Sequence, residues 1–110
     1  MQYSLLVCAS PEKAAAQTAL LSAQAILAAG HSIQRLFFYR DAVRVALHCS
    51  VSHSQWRQLI LEHGLDAVLC VNALQQRNMA VDAQLHPWNI SGLGQLAEVL
   101  STSNRVLTFA

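Results

Sequence analysis

Apolar positions along the chain fall in short blocks whose spacing switches between two periods. Leu5, Leu6, Val7 and Cys8 form an unbroken apolar run that Ser10 and Pro11 stop. This predicts a buried strand over residues 1–8 and then a helix with Ser10 as N-cap and Pro11 at its first position. Over 12–29 the apolar residues Ala16, Ala19, Leu20, Ala23, Ile26 and Leu27 recur at three and four residues, and Gly30 stands where a helix C-cap belongs. Residues 33–38 are short, apolar and aromatic and end at the polar group Tyr39, Arg40, Asp41, so the opening reads β-α-β.

The middle of the chain is less uniform. In 41–49, Val43, Val45 and Leu47 alternate with Arg44, Ala46 and His48 as in a strand, but no neighbouring segment offers a partner hairpin, and the conformation stays open. Ser54 is placed to cap a helix with Trp56, Leu59 and Ile60 on one face and Gly64 at its end. Ala67, Val68, Leu69, Cys70 and Val71 then form a third buried strand. A short helix over 72–77, an irregular connection over 79–89, a last helix over 93–100 and a strand over 105–109 complete the pattern. Short apolar strands alternating with helices predict an α/β fold: one domain over 1–110, a three-layer sandwich with flavodoxin-like layering, whose mainly parallel sheet is covered on both faces. In such a sheet, sites gather at the carboxyl ends of the strands.

Composition narrows the function. The chain is 54% hydrophobic with 12% charged residues, a low charge content that points to a surface partly covered by other subunits. The net charge is +1 and the basic residues are scattered singly, so direct nucleic-acid binding is not indicated. No apolar run reaches the roughly 18 residues a membrane span needs, and the first residues lack the pattern of a signal peptide, so no membrane association and a cytoplasmic location are expected. Cys8, Cys49 and Cys70 are far apart and form no Cys-x-x-Cys pair; in a reducing compartment they are free thiols.

Cys70 is the leading candidate for chemistry. It ends a predicted strand immediately before a helix whose free amides would stabilise a thiolate, although a small apolar residue packed at a strand end has the same position. The same two readings apply to Cys8, where packing is the better fit. Cys49 lies between His48 and His53, a spacing that could present ligands on one helical face, but further ligands would have to come from elsewhere and no metal site is expected. His31, His63 and His86 are isolated and read as solvated or helix-end residues. Gly92 and Gly94, in Ser91-Gly92-Leu93-Gly94, either cradle an anion or let a helix pack closely, the second being the simpler reading. No nucleotide-binding or nucleophile-elbow motif follows a strand, so no organic cofactor is expected.

Four blocks, Phe37-Phe38-Tyr39-Arg40-Asp41, Cys70-Val71-Asn72-Ala73-Leu74 with Arg77 behind it, Ser91-Gly92-Leu93-Gly94-Gln95-Leu96-Ala97-Glu98, and Asn104-Arg105-Val106 before Phe109, give the chain a resemblance to the DsrE-like (DsrE/DsrF) family of sulfur-relay proteins and its TusD-like sulfurtransferase subunits. The resemblance spans nearly the whole chain. It implies that Cys70 is the catalytic residue, accepting sulfane sulfur as a persulfide from a TusA-like donor and passing it to a TusE-like acceptor, without metal or cofactor. It also implies a hetero-oligomer with TusB-like and TusC-like subunits and a pathway ending in 2-thiolation of the wobble uridine of tRNA. Tyr39 and Arg40 are expected to border the site. The connection from Cys70 to Ser91 and the stretch 50–55 are shorter than is usual in that family, and the first turn lacks the usual glycine after Pro11. Three competing readings stay open: a non-catalytic assembly subunit with an inert Cys70, a redox sensor pairing Cys70 with Cys8 or Cys49, and a carrier serving sulfur oxidation instead of thiolation.

Overall fold

The computed structural model describes residues 2–80, 85–92, 94 and 105–110. Strand β1 is Gln2–Val7, helix α1 Ala14–Ala28 and strand β2 Ser32–Phe38. A 3-10 segment over Arg40–Ala46 leads to helix α2, His53–His63, which is followed by strand β3, Ala67–Cys70, and helix α3, Val71–Gln76. Strands β4, Asn89–Ser91, and β5, Arg105–Phe109, complete a sheet in the order β4-β3-β2-β1-β5. Every neighbouring pair is parallel, so the α/β class expected from the pattern is the one observed.

Register explains why the apolar runs are continuous. Val7, Phe38, Leu69 and Ile90 lie in one row across four strands, and Leu5, Leu36 and Ala67 in a parallel row. Residues in aligned rows point to one face. Trp56 of α2 meets Phe38 edge-on at 5.2 Å, which puts α2 on that face. Helix α1 lies beside it, the Gln17 side-chain amide donating to Ser52 Oγ at 3.2 Å. All four residues of β3 are buried, as a strand deep in a parallel sheet requires.

The helix ends show which signals the chain uses. α1 stops in a Schellman arrangement: the Gly30 N–H reaches the Leu27 carbonyl and the His31 N–H that of Ile26, with Gly30 at φ +85°. Its start differs from the expectation. Ser10 and Pro11 form a turn closed by the Lys13 N–H on the Ser10 carbonyl, so Pro11 supplies its fixed φ to that turn and the helix begins at Ala14. Ser54 does not cap α2 either. Ser52 holds the N-cap place with φ +68° and makes no side-chain cap bond, its hydroxyl being taken by Gln17.

Two other segments depart from the pattern. Residues 41–49 do not form a strand: Ala42, Val43, Val45 and Ala46 are buried, which pairs positions three apart and suits the three-residue turn of a 3-10 helix. The connection 79–89 ends in β4, three residues that pair with Val68, Leu69 and Cys70 and that the apolar pattern does not mark because Asn89 and Ser91 are polar. The third strand stops at Cys70, with Val71 already helical. Of the expected helix over 93–100 only Gly94, which is helical, is among the described residues.

Candidate functional site

Cys70 is the last residue of β3 and holds the N-cap place of α3, with φ −69° and ψ 122°. Its backbone is thus still extended where the chain turns into the helix, the position predicted for it. Its side chain is 0% exposed and belongs to the core cluster together with Ala73 and Leu74 of α3. Reactive thiols usually stand partly open to solvent, so full burial is the feature the sequence did not announce.

One step past the row Val7, Phe38, Leu69, Ile90, the carboxyl edge of the sheet presents Cys8, Tyr39, Cys70 and Ser91, with Cys70 and Ser91 directly paired. Tyr39 and Arg40 do stand at this edge, but Arg40 acts on its other thiol. The Arg40 guanidinium lies 5.6 Å from the Tyr39 ring centre, and its charge acts on Cys8. Burial pushes the half-buried Cys8 thiol above its ordinary pKa, and Arg40 offsets part of that rise. The Cys8 N–H is bonded to the Phe109 carbonyl at 2.8 Å, which ties this thiol to the β5 side of the sheet.

Behind Cys70, Arg77 closes α3 and reaches across to Asp41 in the 3-10 segment. Its Nε and Nη2 both lie 2.9 Å from Asp41 Oδ1, and its Nη1 donates to the Ala73 carbonyl at 3.1 Å. The Arg77 hydrogen bond holds the Asp41 carboxyl below its usual range, with Arg44, 3.7 Å away, adding to the effect. Both residues stood in the family blocks, but nothing in the sequence joins positions 36 apart into a pair. Near the first turn, the Ser10 hydroxyl donates to Glu12 at 2.6 Å and lowers that carboxyl in the same way.

Cys49 is exposed. The His48 and His53 rings flanking it do come together, 4.7 Å between centres, but no set of three or more His, Cys, Asp or Glu side chains among the described residues is placed to share a metal ion. His53 is buried, with its Nδ1–H donating to the Val45 carbonyl at 2.8 Å. His63 closes α2 as a helix-end residue, and His31 packs edge-on against Tyr3. Gly92 follows β4, while Leu93 lies outside the described residues, so the anion-cradle reading of that glycine pair has no described geometry. No described helix is long and apolar enough to cross a membrane.

Comparison with known proteins accords with this arrangement. The fold matches the crystal structure of the ychN protein of Escherichia coli with a TM-score of 0.80 at 21% identity, covering 99% of this chain and 100% of that one. A conserved protein of unknown function from Bacteroides thetaiotaomicron matches with a TM-score of 0.68 at 15% identity, covering 97% and 93%. In sequence, the chain is 36% identical over 127 residues to the sulfurtransferase TusD homolog of Pseudomonas aeruginosa, covering 99% of this chain and 97% of that protein. It is 36% identical over 112 residues to sulfurtransferase TusD of Cronobacter sakazakii, covering 86% and 88%. The first of these alignments runs over 127 residues against the 110 of this chain, so that relative carries insertions. The enzyme class expected from the sequence, a sulfurtransferase, is the class these relatives' names carry. The sequence model of the DsrE/DsrF-like family matches residues 1–109, and the chain belongs to that family.

Proposed function

We propose that residues 1–110 form one DsrE-like domain acting as a sulfur-relay sulfurtransferase, with Cys70 as the thiol that carries sulfane sulfur. The observation that carries this reading is the place of Cys70: the carboxyl edge of β3, at the start of α3, in a chain whose relatives are named sulfurtransferases. The Cys70 thiolate attacks the outer sulfur of a donor persulfide, forming a new S–S bond as the donor S–S bond breaks and the donor leaves as a thiolate. An acceptor thiolate then attacks the sulfur carried on Cys70, and Cys70 is the leaving thiolate. The two steps balance without a metal, a cofactor or an external oxidant.

In the fuller form of this proposal the chain works in the cytoplasm in a hetero-oligomer with TusB-like and TusC-like subunits, takes sulfur from a TusA-like donor and gives it to a TusE-like acceptor. Its product supports 2-thiolation of the tRNA wobble uridine, and the near-neutral charge supports a subunit that does not itself hold the RNA. Full burial of Cys70 favours one other reading, a non-catalytic subunit in which that thiol only packs.

Mass spectrometry of wild type and Cys70→Ser after incubation with glutathione persulfide separates the two. The carrier reading expects a gain of one sulfur, about 32 Da, on the Cys70 peptide of wild type and not on the matching peptide of the variant. An unmodified Cys70 peptide, with a control thiol fully loaded, leaves the packing reading in place. Thiolated tRNA in cells carrying either version then tests the pathway, and undiminished thiolation with Cys70→Ser would remove this chain's thiol from it.

A further inference from the structure

Cys70 must be reached by donor and acceptor, yet it lies wholly inside the core, and the residues that follow it into that core, Ala73 and Leu74, belong to α3. That helix has six residues, too few to hold its own shape in water, so what fixes its far end decides whether it stays down. Arg77 sits at that end. Its side chain is 18% exposed and spans from the Ala73 carbonyl to Asp41, whose side chain is 53% exposed on the 3-10 segment.

We infer that the Asp41–Arg77 ion pair is a latch that holds α3 closed and thereby sets how often Cys70 becomes accessible. The significance of the latch for sulfur transfer rests on the carrier reading of Cys70; the latch itself is a statement about α3. The half that faces solvent is Asp41, so the latch is weak and open to competition from an incoming cation. A buried thiol behind a weak, exposed latch is protected from oxidants while idle and released by local opening of one short helix. The Ala73 contact matters as well: by holding a carbonyl of the helix it closes, Arg77 grips α3 from within and not only from its end.

The molecule supplies its own control. Arg35 and Asp66 form a pair of similar make, Nε to Oδ2 2.8 Å with side chains 17% and 39% exposed, joining the middle of β2 to the residue before β3, at the amino end of that strand. Alkylation of Cys70 by iodoacetamide, followed peptide by peptide, reads the opening of α3 whatever Cys70 does in the cell. Asp41→Asn should raise the Cys70 rate by roughly two- to fivefold, the scale of one such pair, while Asp66→Asn leaves it at the wild-type value. The charge swap Asp41→Arg with Arg77→Asp should bring the rate only part of the way back down, because the bond to the Ala73 carbonyl is lost with the guanidinium and Arg44 stands beside the new arginine. In wild type, added salt should speed Cys70 alkylation, and in Asp41→Asn it should not, because only an ion pair is screened.

Equal Cys70 rates in wild type and Asp41→Asn, or equal effects of Asp41→Asn and Asp66→Asn, would overturn the latch. Sulfur loading of wild type by glutathione persulfide, run in parallel, bears on the carrier reading alone. A latch that opens in a protein that never gains sulfur, and a protein that gains sulfur without salt-sensitive opening, are thus distinct results.

Discussion

At the level of single residues, the carboxyl edge of the sheet holds two thiols that differ in surroundings more than in position. Cys8 follows β1 and Cys70 ends β3, each before a turn toward a helix, and in the sequence the same two readings apply to both, with packing the better fit for Cys8. What separates them comes from distant parts of the chain: the guanidinium of Arg40 beside Cys8, and the side chains of α3 buried with Cys70. Burial raises the Cys8 pKa above its ordinary value of 9.0, so the neutral thiol persists to higher pH than in a free peptide. Alkylation proceeds through the thiolate, and the pH–rate profile of the Cys8 peptide should therefore have its midpoint displaced upward. Arg40 opposes the rise, so Arg40→Gln should move that midpoint further up and slow the reaction at any given pH below it. A midpoint unchanged by Arg40→Gln would mean that the charge does not act on this thiol.

Among the elements, apolar periodicity was enough where a strand or helix carries a whole face of the core. Strands β1, β2 and β3 and helices α1 and α2 lie within a residue or two of where the pattern puts them, because each buries an apolar run or a three-and-four stripe; α3 and the only partly buried β5 are also found at their expected positions. The candidate thiol was legible for the same reason, since a strand end before a helix is visible in sequence. Signals resting on one residue were less secure. Ser10, Pro11 and Ser54 each have a turn or cap role that several backbone paths satisfy, and tertiary contacts such as that of Gln17 with Ser52 chose among them. β4 escaped because an edge strand of three residues buries too little to print a pattern. Gly30 is the opposite case, one residue with one possible reading. At φ +85° it closes α1, and a Cβ added there would meet nothing within 4 Å, so the cost of a side chain is conformational alone. Gly30→Ala should lower unfolding free energy by about 1 kcal/mol in urea titration, through strain without steric clash. An unchanged midpoint would show that the turn relaxes to another closure.

For the whole molecule, the order β4-β3-β2-β1-β5 decides which thiols can meet, and this no reading of spacing could have provided. Cys8 follows β1 and Cys70 ends β3, with β2 and the Tyr39 that follows it between them. Two strand spacings separate their backbones by about 10 Å, well beyond the roughly 7 Å that a disulfide spans. A redox switch joining these two cysteines would therefore require β2 to leave the centre of the sheet, where Leu36, Phe37 and Phe38 are among the most deeply buried residues of the core. Mild oxidation with diamide at low protein concentration should thus yield no Cys8–Cys70 linked peptide and no loss of 2 Da assignable to that pair. Exposed Cys49 should be the first thiol to take up added glutathione, since it is the most exposed of the three. A linked Cys8–Cys70 peptide forming within one chain would show that the sheet opens under native conditions, and the redox-sensor reading would displace the carrier. Its absence, together with the absence of a Cys49–Cys70 link in the same digest, leaves Cys70 as a thiol whose partners come from other molecules, which is what a relay requires.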